Sequence, residues 1–304
     1  MNPPPITSLR LLLRLANSLS LDLLALYRGE RNFTDAVILA ALTPAAFQSN
    51  RFGADGAPRG LSVNAVSTSL GLPFETVRRH VKRLVTDGIC ETTREGVRLS
   101  DAFLASPAHA KRRQAAYVAV REFYHRIKQA GCIALLDLAP TPPEAADDAT
   151  ARDVAWRASC EYFLRIMEIL LPGFDSLTQA FVIMEVVRTN TEGLPDEMRG
   201  GETHEQDGPV ADTYRHPAKS AAIGARLGLP HETTRRNLLL LVEDGRMIRT
   251  NGGFIVPAAV LARPKMAMGV AANFRNLNRF FAELAQARVL ARWDETNEAA
   301  TLAC

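Results

Sequence analysis

Two short stretches of the chain hold the side chains best suited to chemistry. Residues 73–86 carry Phe74, Glu75, Thr76, Arg78, Arg79, Lys82 and Arg83, and residues 230–243 carry His231, Glu232, Thr233, Arg235 and Arg236. Each holds the pattern Glu-Thr-x-Arg-Arg. Neither offers a nucleophile beside a base, nor ligands at metal-binding spacing. What these groups can do is recognise: guanidinium and ammonium groups donate hydrogen bonds to phosphate oxygens or to the edges of bases. Arg94 and Arg98 follow soon after the first stretch and add to its positive charge.

The two stretches are copies. Residues 70–88 read LGLPFETVRRHVKRLVTDG and residues 227–245 read LGLPHETTRRNLLLLVEDG, a constant shift of 157 residues. From Gly71 to Gly88, 11 of 18 positions match their partners. Such a match argues for internal duplication. The elements that must position the charges can be read from spacing. Val77, Val81, Leu84 and Val85 recur at helical intervals and turn one face of residues 73–86 to a core, leaving the charges on other faces. Pro73 suits the first turn of that helix, and Gly88 ends it. Residues 62–70 fit a shorter helix, with Gly71 as the tight turn between the two. Residues 89–93 and 97–100 are β-prone and flank Arg94-Glu95-Gly96, a small hairpin. In the second copy residues 218–226 and 230–243 are the helices. Residues 246–250 and 254–256 flank an Asn-Gly-Gly turn, a strong hairpin signal.

From Leu70 to Gly88 the sequence resembles bacterial winged helix-turn-helix transcriptional regulators of the GntR and MarR type. The pattern is carried by Leu70, Gly71, Thr76, Arg78, Leu84, Asp87 and Gly88, and again by Leu227, Gly228, Thr233, Arg235, Leu241, Asp244 and Gly245. The resemblance covers about 40 residues in each half and names no subfamily. It implies a mainly α fold with small β-hairpin wings: duplicated winged helix-turn-helix domains with flanking long helices. It also implies that residues 73–86 and 230–243 are recognition helices entering the major groove of double-stranded DNA. There Arg78 and Arg79 would fork to guanine O6 and N7, Glu75 would accept from cytosine N4, and Phe74 would touch a thymine methyl. Thr76 would meet a phosphate or cap the helix. Lys82, Arg83, Arg94 and Arg98 would meet phosphates, with Lys111, Arg112 and Arg113 extending the track. His231, Glu232, Thr233, Arg235 and Arg236 would serve the second head. There Leu239 and Leu240 replace Lys82 and Arg83, which suits packing against protein. The blander expectation for Glu75 and Arg79, and for Glu232 and Arg236, is a solvated helix pair at i, i+4.

The rest of the chain frames these two heads. Residues 8–27 read as an amphipathic helix, and Thr34 starts a second one running to about residue 48. Residues 50–60 are a loop. A long helix over 108–130 carries Tyr117, Val120, Phe123 and Tyr124. One over 265–291 places Phe274, Leu277, Phe280 and Phe281 at the matching positions. These aromatic helices are the candidate surface for packing between repeats or for a homodimer. The expected division is residues 1–138, a Pro-rich linker at 139–151, and residues 152–304. Helices are expected over 154–171 and 177–188, and an acidic loop over 189–214.

Charge follows the same division. Residues 1–139 hold 18 Lys/Arg against 11 Asp/Glu, residues 140–212 hold 5 against 15, and residues 213–304 hold 13 against 7. Two basic blocks, each with one copy of the motif, flank an acidic one, as two nucleic-acid-facing modules would. Cys90, Cys132, Cys160 and Cys304 are too scattered for a zinc site and suit reduced thiols in a cytoplasmic protein. No apolar run reaches the roughly 20 residues of a membrane helix. His80 is expected on the helix surface, and His204 with Glu202 and Glu205 in a solvated loop. No phosphate loop, dinucleotide fingerprint or catalytic motif stands out, so no cofactor and no enzymatic activity are expected. The leading expectation is a two-headed, sequence-specific transcriptional regulator whose small-molecule effector is open. The alternatives are a replication-initiator-like DNA-binding protein and a tandem winged-helix scaffold for protein partners.

Overall fold

The computed structural model describes residues 6–47, 60–139, 144–194 and 209–302. The expected lead-in, the loop from Asn50 to residue 59, Pro140, Pro142 and Pro143, Glu202, His204 and Glu205, and Cys304 lie outside the described residues. In chain order the helices and strands are α1 (Ile6–Arg28), α2 (Phe33–Phe47), α3 (Val63–Leu70), α4 (Phe74–Thr86), β1 (Cys90–Thr93), β2 (Gly96–Leu99), α5 (Asp101–Leu104) and α6 (Pro107–Gln129). The second series is α7 (Asp148–Leu170), α8 (Leu177–Thr191), α9 (Ser220–Leu227), α10 (His231–Glu243), β3 (Ile248–Thr250), β4 (Gly253–Ile255), α11 (Ala258–Leu261), α12 (Pro264–Gln286) and α13 (Val289–Leu302).

The chain is mainly helical, with two antiparallel two-stranded sheets, β1–β2 and β3–β4. The second series repeats the first in order and helix length. α3 to α6 reappear as α9 to α12, each shifted by 157 residues, while α2 and α8 are shifted by 144. The difference, 157 − 144 = 13 residues, is the extra chain between α8 and α9. α1 and α7, both 23 residues, open the two series.

Local chemistry explains the turns. Gly71 closes α3 in the left-handed region at φ 60°, and Gly228 closes α9 at φ 59°. A side chain there would strain the backbone. The Ser67 hydroxyl donates to the Leu72 carbonyl at 2.7 Å and pins the first turn. At the matching place in the second series stands Gly224, where a Cβ would lie 2.9 Å from Thr234 Oγ1. Ser62 caps α3 by accepting from the Ala65 N–H at 3.0 Å. The hairpins carry a second glycine requirement. Gly96 and Gly253 have φ 143° and 144°, and a Cβ on either would lie 2.4 Å from the carbonyl oxygen of Leu61 or Ala218. Those close approaches are single-residue antiparallel bridges, Leu61 to Val97 and Ala218 to Phe254, which add a third short chain to each hairpin.

Several boundaries depart from expectation. α2 begins at Phe33, ahead of Thr34, because the Asn32 carboxamide accepts from the Asp35 N–H at 3.0 Å. α7 begins at Asp148, so residues 148–151 are its first turn rather than linker. Asp147 starts it, accepting from the Ala149 and Thr150 N–H groups at 2.9 Å. The expected helix over 265–291 is two helices, α12 and α13, broken where Arg288 adopts φ 62°.

The chain forms two compact units, each drawn from three segments. One comprises residues 1–21, 123–136 and 169–275, and the other residues 22–122, 137–168 and 276–304. They divide the chain elsewhere than at 139–151, and each draws on both sequence halves. In the second-named unit Tyr27 packs edge-on against Trp156 and Phe163, Tyr117 against Trp293, and Tyr162 stacks on Phe280. Phe280, Phe281, Tyr117 and Trp293 are all buried. These rings form the chain's own core, so a homodimer would have to use other residues of the long helices. In the first-named unit the core is Phe181, Val182, Val186, Ile223, Leu227, Leu238 and Leu241. Buried Asn190 stitches it together, donating to the His216 and Phe254 carbonyls at 2.7 and 3.0 Å and accepting from the Val256 N–H at 2.9 Å. Among the described residues no single helix is long and apolar enough to cross a membrane. Cys90, Cys132 and Cys160 are buried and form no disulfide with one another. Burial pushes Cys90 and Cys160 up to about 12, where they are unreactive as nucleophiles.

Candidate nucleic-acid interface

α4 buries Val77, His80, Val81 and Leu84 against the core. Its opposite face exposes Glu75, Arg78, Arg79 and Lys82, with Phe74 44% exposed at the first turn. A phenyl ring left in water at the start of a charged helix is a costly placement for the free protein and a useful one for a contact surface. Pro73 occupies the capping position without a side-chain bond, so Thr76, half-buried in the first turn, does not cap.

The charges then separate into paired and unpaired ones. Arg78 turns to Glu75, with Nε at 2.9 Å and Nη2 at 2.8 Å from Oε2. That hydrogen bond raises the arginine pKa further. The pair is i, i+3, and the expected Glu75–Arg79 partnership does not form. Arg79, Lys82 and Arg94, the last at the tip of the β1–β2 hairpin, have no ion-pair partner among the described residues and are exposed. These three are the unpaired cations among the exposed residues of the first head, beside Phe74 and the paired Glu75, Arg78 and Arg83.

Four expected contact residues are committed elsewhere. Arg83 Nη2 lies 2.6 Å from Asp35 Oδ2, and the other oxygen of the same buried carboxylate lies 2.8 Å from His80 Nδ1. Asp35 thus ties α2 to α4 at two points, which takes His80 off the surface and commits Arg83 to an ion pair although its side chain stays 46% exposed. Arg98 sits directly across the hairpin from Glu91 and pairs with it, with Asp101 at 3.5 Å. Its side chain is only 16% exposed. Arg113 pairs with Asp153 on α7, and the guanidinium of Arg112 lies over the Phe103 ring. Of that basic trio only Lys111 is exposed. The predicted phosphate track therefore loses Arg83, Arg98, Arg112 and Arg113, because each neutralises or covers a group of its own chain.

The second head repeats the pattern with fewer cations. His231, Glu232, Arg235 and Arg236 are exposed and Thr233 is half-buried. Arg235 Nη2 lies 2.8 Å from Glu232 Oε1, again an i, i+3 pair. Arg235, through that hydrogen bond, pulls the Glu232 carboxyl below its ordinary range. Arg236 has no ion-pair partner among the described residues. Leu239 and Leu240 are half-buried. Arg249 on β3 is exposed and was not anticipated; it stands where the first hairpin has Thr92. Beside it, Ile248 is 44% exposed where the first hairpin has Glu91. Behind the second head, buried Glu185 receives Arg188 at 2.5 Å and Arg226 at 3.2 Å.

Asp35 was the other residue missed. Its signal was present: it is the single charge in the run Phe33–Phe47. A lone carboxylate on an apolar helix has to find a cation. No protein family, curated protein or solved structure matches this chain.

Proposed function

We propose that the chain is a sequence-specific, double-stranded-DNA-binding transcriptional regulator with two winged helix-turn-helix heads, α3–Gly71–α4 with its hairpin and α9–Gly228–α10 with its hairpin. One observation carries the reading: a helix follows a glycine turn and turns Phe74, Arg78, Arg79 and Lys82 to solvent, with Arg94 on the adjoining hairpin, while Arg83 pairs with Asp35 and Arg98 with Glu91. A recognition helix and wing need that division, with base-reading groups at the start of the helix and phosphate-reading cations around it.

Selection from a random duplex pool at two salt concentrations tests it. A two-part site is expected, with related but unequal halves, because the position of Phe74 is taken by His231 in the second copy and that of Lys82 by Leu239. Absence of enrichment at both salts overturns the reading. Lys82→Ala and Arg94→Ala should each reduce the slope of log affinity against log salt by about 0.9, the share of one phosphate contact. Arg83→Ala and Arg98→Ala should leave the slope unchanged. An Arg98→Ala effect as large as that of Arg94→Ala would show that the wing meets DNA by another face.

A second reading draws on the apolar residues of the second head. Half-buried Leu239 and Leu240, exposed Ile248 and 72%-exposed Met268 stand where the first copy has Lys82, Arg83, Glu91 and Lys111. That is the composition of a protein-facing surface. Leu239→Lys should then abolish partner binding and leave DNA selection by the first head intact.

A further inference from the structure

Glu75 and Glu232 hold the same relation to their arginines although the surrounding helices have diverged at 7 of 18 positions. In both copies the glutamate bypasses the arginine at i+4 and binds the one at i+3. In both it engages the Nε and Nη2 side of the guanidinium. The carboxylates are 71% exposed and the arginine side chains 58% and 52% exposed. An ion pair so open to water adds almost nothing to folding, so stability does not account for its recurrence.

Geometry suggests another use. A guanidinium has five N–H donors in a rigid plane. A carboxylate on the Nε and Nη2 side leaves the end of the fork, Nη1 with the second Nη2 hydrogen, open to a further acceptor. That end can span guanine O6 and N7. The partner also cancels the arginine's charge, which weakens the pull of nearby phosphates on it, whereas unpaired Arg79 and Arg236 keep theirs. We infer that Glu75 and Glu232 are positioning residues that aim Arg78 and Arg235 at a guanine in each half-site. The halves therefore share that guanine and differ at the base met by Phe74 or His231. The inference rests on the DNA-binding reading above.

The test is selection from a random duplex pool, with salt titration on a fixed non-specific duplex, for the full chain and for Glu75→Gln, Arg78→Ala and the double variant. Circular dichroism confirms that these exposed substitutions leave the fold intact. Glu75→Gln should lower guanine enrichment at one position of one half-site about tenfold, the scale of one bidentate base contact. It should also tighten non-specific binding and steepen its salt dependence, because a negative charge has gone from the surface. Arg78→Ala should flatten the same position, and adding Glu75→Gln to it should change base preference no further, since the two act as one unit. A merely structural glutamate would not lower specificity while raising non-specific affinity.

Enrichment by the full chain that Glu75→Gln leaves unchanged overturns the positioning role alone. A different position flattened by Glu75→Gln in the Arg78→Ala background also overturns it, and makes Glu75 a base reader in its own right. No enrichment by the full chain removes the DNA reading and this inference together.

Discussion

His109 lies at the start of α6 with its ring tilted against Phe103 at 5.0 Å and edge-on to Trp156 at 5.5 Å. It is buried, and neither ring nitrogen has a hydrogen-bond partner among the described residues. Burial first, then the charges of Arg113 and Arg112, holds its pKa down to about 4. Unfolded, it titrates near 6.5. Between those values the unfolded chain binds the proton and the folded chain does not, so the stability this histidine permits at neutral pH is lost as pH falls from 6.5 to 4. The shift corresponds to roughly 3 kcal/mol. Buried Glu185 and half-buried Glu283 have the opposite sign: desolvation raises their pKa values, so their contribution favours acid and fades as pH rises. Comparison with His109→Met isolates the histidine, and Met266 already occupies the matching position of the second copy. Urea unfolding at pH 7 and pH 4 should show the wild type losing about 3 kcal/mol more than the variant. Parallel losses would mean the histidine finds a partner in solution.

At the level of elements, each head is fastened from below by one buried polar residue of the preceding helix, but by different chemistry. α2 uses the Asp35 carboxylate on two side chains of α4, and α8 uses the Asn190 carboxamide on three backbone groups near β4 and the start of the α9 segment. The position matching Asn190 in the first copy is Ala46. Asn190→Ala would leave the Val256 N–H without its acceptor in the core, while the Phe254 carbonyl keeps the Ala218 N–H, at a cost of about 2 kcal/mol. Urea titration should show that loss, with earlier hydrogen exchange at the Val256 amide. Helix spans, the glycine turns and the hairpins were legible because each depends on spacing or on a residue's own backbone preference. The break at Arg288 was not legible: a non-glycine residue at positive φ carries no local signature.

For the whole molecule, duplication was visible in the sequence while the way the copies are assembled was not. Tyr27 and Tyr117 from the first half meet Trp156, Phe163 and Trp293 from the second within one compact unit. Arg157 and Glu283 are joined at 2.6 Å in the same unit, as are Arg292 and Asp148 at 2.9 Å. A fragment ending at residue 138 would expose those rings. It should bind a hydrophobic dye and unfold without a cooperative transition. A sharp, two-state melt of that fragment would show instead that the first half folds on its own.

Taken alone, the sequence determined the duplication, the helix–turn–helix–hairpin order in each copy, and the exposure of Arg78, Arg79, Lys82 and Arg94. These follow from periodicity and turn chemistry, which act over a few residues. The tertiary structure decided which charges remain available. Arg83 answers to Asp35 on another helix, Arg98 to a neighbour across a hairpin, Arg113 to Asp153 on α7, and Arg78 rather than Arg79 to Glu75. The fate of a charge depends on what the fold sets beside it, and for Arg83 and Arg113 that partner lies 48 and 40 residues away in the chain.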